Sequence, residues 1–209
     1  MNSHQIQNNQ DPNQQQDPSA VKSLGLFIWD LVKILVISFV IIIPIRYYVA
    51  QPFIVQGSSM EPNFHTGEYL VIDELTYRNS QPQRGDIIVF KYPRDTSQFF
   101  IKRIIGLPGE TVQIKDSKVT IFNKANPQGF TLDETYLPPN TPTLGSDSKF
   151  TLGSDEFYVL GDNRPASSDS RFWGPVPRND IIGRVLFRAY PFQNFTEFKH
   201  IQYTATTAQ

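Results

Sequence analysis

Ten of the first 20 residues are Gln or Asn and almost none is apolar, whereas from Leu24 the composition inverts. A polar stretch of that kind cannot bury enough surface to offset the entropy of ordering, so a disordered tail is expected over 1–23. Residues 34–45, Ile-Leu-Val-Ile-Ser-Phe-Val-Ile-Ile-Ile-Pro-Ile, carry no charge but fall short of the roughly 20 residues that a helix needs to cross a bilayer. Leu24 to Lys33 supply the missing length. They also bring in Asp30 and Lys33, three apart on one helix face, which can pair near the end of the span while Lys33 snorkels to the interface. A segment apolar nearly all round does not suit a buried core helix. The long polar tail before it, and the lack of a small-residue cleavage site after it, do not suit a cleaved signal peptide. Residues 24–50 therefore read as a transmembrane anchor with the lipid bilayer as its partner. Lys22 and Lys33 on the near side against Arg46 on the far side place the tail in the cytoplasm.

Beyond Gln51-Pro52 the pattern changes to short runs rich in β-branched and aromatic residues, separated by turn residues. Strands are predicted at 69–72, 86–92, 99–105, 111–114, 118–122, 157–160 and 181–187. Lys115-Asp-Ser-Lys between two of them reads as a hairpin turn. Residues 123–154, rich in Pro, Gly, Asn and Ser, are too irregular for a strand ladder and read as an extended surface excursion. The expected fold is a mostly β, antiparallel sheet domain over 51–203, large enough for a sizeable core, with one N-terminal transmembrane helix and a flexible end at 204–209.

Composition removes several classes of function. Nineteen Lys and Arg against 20 Asp and Glu, with no clustered basic stripe, argue against a nucleic-acid partner. The chain has no cysteine, so disulfides and thiolate metal sites are excluded. His4, His65 and His200 lack ligand-like spacing, and no metal or organic cofactor is expected.

The candidate chemistry centres on Ser59, in Gln-Gly-Ser-Ser-Met-Glu-Pro, and Lys102, in Phe-Phe-Ile-Lys-Arg-Ile-Ile-Gly, 43 positions apart. A serine hydroxyl needs a neighbouring base, and a lysine amine serves only if it loses its proton near neutral pH. Burial among Phe and Ile side chains would lower the lysine pKa from roughly 10.4 in that direction. No histidine is well placed for a triad: His65 lies only six residues from Ser59, and the other two lie near the ends of the chain. Lys102 and Arg103 are adjacent on a strand and must point to opposite faces, so one of the two charges turns inward or into a cleft; the bland alternatives are an edge strand with both charges wet, or a buried lysine paired with a carboxylate. Gly57 permits close approach of a ligand, and Pro62 stiffens the turn behind it. The stretch Gly161-Asp-Asn-Arg-Pro-Ala-Ser-Ser-Asp-Ser-Arg171 is either a polar turn whose charges pair among themselves or a support for the lysine.

Three segments, Gln-Gly-Ser-Ser-Met-Glu-Pro, Phe-Ile-Lys-Arg-Ile-Ile-Gly-Leu-Pro-Gly-Glu and Gly-Asp-Asn-Arg-Pro-Ala-Ser-Ser-Asp-Ser-Arg-Phe-Trp-Gly, with Arg84-Gly-Asp-Ile-Ile-Val-Phe between the first two, closely resemble the type I signal peptidase (leader peptidase) family. The motifs stand in the family's order over about residues 53–192. The resemblance implies a membrane-anchored serine endopeptidase that cleaves signal peptides from exported preproteins, with Ser59, rather than Ser58, as nucleophile and Lys102 as general base. It implies that the Ser167 hydroxyl orients the lysine and that Asp169 and Arg171 form a supporting pair. It also implies an apolar surface resting on the membrane and shallow pockets for small side chains; the expected walls are Phe53, Ile54, Val55, Gln56 and Gly57 on one side and Phe99, Phe100 and Ile101 on the other. The catalytic domain is expected on the extracytoplasmic side of the cell membrane, with the export machinery as a further partner. Because Gly57 brings no side-chain hydroxyl, the oxyanion hole must rest on the Ser59 N–H and another donor; a serine at 57 is expected to be tolerated. A membrane-anchored β-module that binds export partners without catalysis is the competing class, and loss of Ser59 or Lys102 would favour it. Self-cleaving repressors share the Ser/Lys pair but carry a DNA-binding helical domain that residues 1–52 do not resemble.

Overall fold

The computed structural model describes residues 18–44, 50–145, 147–198 and 203, and the chain divides into two units after Pro44. The N-terminal unit is α1 (Pro18–Pro44), a 27-residue helix. Proline suits the first helical position, where no N–H is required, and residues 18–23, assigned to the tail on composition, instead form its first turns. Lys22–Ile43 is long and apolar enough to cross a membrane, and none of it is buried. Lys33 Nζ donates to Asp30 Oδ1 at 2.9 Å, and the pair sits nearer the middle of this stretch than its end. Residues 1–17, 45–49 and 204–209, with the disorder expected at both termini, lie outside the described residues, as do His4 and His200.

The second unit is mostly antiparallel β. In chain order it contains β1 (Ala50–Ile54), β2 (Tyr69–Asp73), α2 (Thr76–Asn79), β3 (Ile87–Tyr92), β4 (Asp95–Gly106), β5 (Thr111–Lys115), β6 (Lys118–Phe122), β7 (Phe130–Thr131), β8 (Lys149–Thr151), β9 (Glu156–Leu160), α3 (Ser170–Trp173), β10 (Val176–Pro177), β11 (Ile181–Tyr190) and β12 (Thr196–Glu197). The larger sheet runs β1-β2-β11-β3-β4-β9-β10 with β12 beside β11, and the smaller runs β7-β6-β5-β8. Asp116 and Ser117 both have positive φ, 50° and 60°, the geometry of a type I′ turn, whose twist matches the strands it joins. The stretch 123–154, expected to hold no strand, supplies β7 and β8, which form both edges of the smaller sheet. Runs of two and three residues are too short for alternation to be read from sequence.

β4 positions the site. Its 12 residues pass from exposed at Thr96–Phe99 to fully buried at Lys102–Gly106. It pairs with β3 along much of its length but with β9 only from Arg103 to Gly106, so the backbone edge before Arg103 is left open. β1 is also an edge strand, paired to β2 alone.

The apolar side chains of β3, β4 and β9 gather around Phe157, which is fully buried against Phe90, Ile104, Val159 and Trp173. Replacing Phe157 by Ala should therefore lower stability by about 3–5 kcal/mol, read as the shift in a denaturation midpoint with unchanged slope. A cost near zero would show that this cluster is not the main core.

Candidate functional site

Ser59 lies on the loop that joins β1 to β2. Val55 N–H donates to Glu68 O and Gly67 N–H to Val55 O, both at 2.9 Å, which closes the loop at its base. Met60 and Phe64, 1% and 0% exposed, anchor its apex in the core beside Val55 and Leu70. Between these anchors Ser59 is half-buried and turned toward β4. Lys102 is 4% exposed, and its Nζ lies 2.7 Å from Ser59 Oγ and 2.8 Å from Ile101 O. Burial lowers the Lys102 pKa to about 8, while the carboxylates of Asp169 and Asp162 pull it the other way. The amine therefore exchanges its proton close to neutral pH.

Arg103 is buried too, so the bland alternative of a wet edge strand does not hold: β4 is interior at this point, covered on both faces. Its guanidinium makes a bidentate pair with Asp162 at 2.8 and 2.6 Å, donates to Gly85 O at 3.1 Å and stacks 3.9 Å from the Tyr136 ring centroid. Asp162 also accepts from Asn63 Nδ2 at 2.8 Å. The next residue, Asn163, donates from its backbone N–H to Ser59 O and from Nδ2 to Ser58 O, each at 3.0 Å. Arg164, 1% exposed, pairs with Glu134 and donates to Gly161 O at 3.1 Å. A Cβ at Gly161 would collide with Ser59 O and Ser167 Oγ, so only glycine lets this loop approach the serine so closely. Sequence reasoning missed Asp162, Asn163 and Arg164 although all three lie in a motif it singled out. Partners 59 or 105 positions apart leave no trace in local pattern.

The same loop carries the other expected residues. Asp169, fully buried, receives Arg171 through Nε to Oδ1 and a second nitrogen to Oδ2, both at 2.8 Å, and accepts from Gly161 N–H at 3.1 Å. Arg171 further donates to Arg164 O at 2.7 Å and Leu144 O at 2.9 Å. Ser167 is buried beside Ser59 O, but among the described residues its hydroxyl makes no hydrogen bond, with Lys102 Nζ or any other group. Phe53, Ile54, Val55, Gln56, Gly57, Phe99, Phe100 and Ile101 all line one cleft of about 660 Å³, whose wall also includes Ser58, Ser59 and Lys102. Phe53 and Phe99 meet edge to face across it, with centroids 5.8 Å apart. Gly57 has φ +88° and open space around it, so any side chain there is strained by the backbone rather than by a neighbour. A serine here would adopt a backbone conformation that L side chains rarely take, which runs against the expected tolerance of serine at this position. His65 is exposed with Nδ1 3.7 Å from Glu61 Oε1, and it makes no hydrogen bond to Ser59.

The profile of the family described as signal peptidase, peptidase S26, matches residues 28–190. The chain belongs to the signal peptidase family. It is 37% identical over 174 residues to signal peptidase I of Leptolyngbya laminosa, covering 79% of this chain and 81% of that one. Identity to probable signal peptidase I-1 of a Synechocystis species is 35% over 184 residues, covering 83% and 88%. A crystal structure of a signal peptidase I from Enterococcus faecalis is 36% identical, with 50% of this chain and 97% of that chain covered and a TM-score of 0.42. Signal peptidases are enzymes that cleave signal peptides from preproteins, and the chain is one of them.

For this signal peptidase the buried lysine has a consequence for stability. An unfolded lysine keeps its proton to roughly pH 10.4, whereas folded Lys102 loses it near 8. Between those values the unfolded chain binds more protons, so stability rises with pH; below about 8 the full penalty of the buried charge is present. Lys102→Met should accordingly be more stable than wild type at pH 7, by on the order of 2–3 kcal/mol, with the gap closing by pH 10. Chemical denaturation at the two pH values reads this directly. A gap independent of pH would mean that the amine titrates like one in water.

Proposed function

We propose that this protein is a membrane-anchored Ser/Lys endopeptidase in which Ser59 is the nucleophile and Lys102 the general base. The observation that carries the reading is the 2.7 Å approach of Lys102 Nζ to Ser59 Oγ at the end of an open cleft, with the lysine pKa lowered to about 8. Neutral Lys102 takes the Ser59 proton as Oγ bonds to the scissile carbonyl carbon, and the carbonyl π electrons move onto oxygen. The Ser59 N–H donates to that oxyanion. The carbon–nitrogen bond then breaks, the Lys102 ammonium protonates the leaving amine, and an ester remains on Ser59. Water, deprotonated by Lys102, releases the acid and restores the hydroxyl. The cycle needs no cofactor.

The substrate is the signal peptide of a preprotein, bound extended. The open edges of β1 and of β4 before Arg103 flank the cleft, and a peptide strand laid between them would find main-chain partners on both sides. The side chains of Phe53–Gly57, Phe100 and Ile101 would then select small residues at the minus-one and minus-three positions. Ser167 is assigned the role of orienting the lysine amine: among the described residues its buried hydroxyl has no hydrogen-bond partner, which leaves it available to the amine. Asp169 and Arg171 hold its loop in place.

Membrane anchoring rests on Lys22–Ile43, with the N-terminus cytoplasmic, the catalytic unit on the extracytoplasmic side of the cell membrane and the export machinery as source of substrate. Ile54, Phe99, Tyr190, Phe192 and Phe195 are exposed on the β-unit and form apolar surface suited to lipid contact.

Ser59→Ala and Lys102→Ala should each abolish cleavage of a signal-peptide-bearing preprotein with the fold intact, and the double variant should be no worse than either, because the two act as a unit. Lys102→Arg should be inactive, since a guanidinium keeps its proton. In wild type kcat/KM should rise with pH through about 8 and then level off, because the base acts only when neutral. Turnover by Ser59→Ala, followed by mass mapping of the cut, would overturn the assignment.

A further inference from the structure

Asn163 grips the nucleophile loop at two successive carbonyls, Ser59 O through its backbone and Ser58 O through its side chain. The second contact bears on the chemistry. Ser58 O belongs to the same peptide group as the Ser59 N–H, that bond is trans, and in a planar trans peptide the C=O and N–H point in opposite directions. Whatever holds Ser58 O on one side therefore aims the Ser59 N–H on the other. Among the described residues no acceptor takes that N–H, and Ser58 and Ser59 both border the cleft.

The peptide plane needs such a hold. It follows Gly57, whose φ of +88° and uncrowded position leave the chain free to rotate there, and which brings no side-chain donor of its own. Asn163 itself is firmly placed. Asp162 before it is locked to Arg103, and Arg164 after it is locked to Glu134 and Gly161 O. We propose that Asn163 is a positioning residue of the oxyanion hole: its side-chain amide orients the Ser58–Ser59 peptide so that the Ser59 N–H meets the oxygen of the scissile carbonyl. This rests on the reading of Ser59 as nucleophile.

The test uses the full chain in detergent with a preprotein substrate and a peptide aldehyde, whose adduct with a serine carries an oxygen on a tetrahedral carbon, as the intermediate of cleavage does. Asn163→Ala removes the donor. Asn163→Asp keeps the shape, and above pH 6 its carboxylate cannot donate. Each should lower kcat about 10- to 100-fold, read on the plateau above the lysine titration, while KM stays within twofold. Affinity for the aldehyde should fall by the same factor as kcat. In Asn163→Ala the pH midpoint of kcat/KM should stay where it is in wild type, because the amine and its surroundings are untouched. If Asn163→Ala does not fold, Asn163→Asp carries the test, since it preserves both the volume and the backbone contact. The proposal is overturned by kcat within twofold of wild type in the folded variants, by a loss confined to KM, or by a moved pH midpoint in Asn163→Ala. Activity in a parallel Ser59→Ala sample would instead remove the nucleophile assignment on which the proposal stands.

Discussion

Two adjacent cations buried on one interior strand set the terms for everything around them. Lys102 and Arg103 leave β4 on opposite faces, and neither reaches bulk water. They meet the cost of burial differently. An amine can give up its proton, and Lys102 does so near pH 8. A guanidinium cannot, so Arg103 requires a carboxylate, and leaving such a charge unpaired costs about 3–5 kcal/mol. Asp162 answers that requirement with two hydrogen bonds.

From that pair the arrangement propagates by covalent adjacency. Asp162 is followed by Asn163, so fixing the carboxylate for Arg103 also fixes the contacts to Ser58 and Ser59. Lysine and serine are thereby referenced to one strand: the amine through its own backbone, the hydroxyl through Arg103, Asp162 and Asn163. Asp169–Arg171 and Glu134–Arg164 brace the loop further along, and Arg171 ties the two braces together through Arg164 O. Buried ion pairs contribute little net stability. Here their value lies in geometry, since each fixes a short segment of backbone that has no sheet partner of its own.

Much of this was legible in the sequence, though unevenly. Each β-type run of four residues or more corresponds to a strand, and Lys115–Lys118 turns a hairpin, because alternation and turn chemistry are local. Lys102 stood out because a lysine inside an apolar strand is unusual, whereas Ser59 was separable from Ser58 only through the family resemblance, in which the nucleophile immediately precedes the methionine. Their mutual distance was not legible, nor was the pairing of Arg103 with Asp162, since both depend on a sheet order that brings β4 beside β9. β7 and β8 were hidden by brevity. The +88° φ of Gly57 was hidden because a glycine announces freedom without saying how the chain uses it.

The alternation along β4 also makes the site sensitive to counting. Exchanging one apolar side chain for another on this strand changes packing locally and leaves the direction of every neighbour intact. Deleting a single residue before Lys102, with the neighbouring strands unmoved, brings the guanidinium to the place that faces Ser59 and turns the amine to the face of Asp162. The composition would be almost unchanged and the ions would still be neutralised, yet the serine would face a group that never releases its proton. For this strand the spacing between residues is under tighter constraint than the identity of most of them, so lineages should vary its letters far more freely than its length.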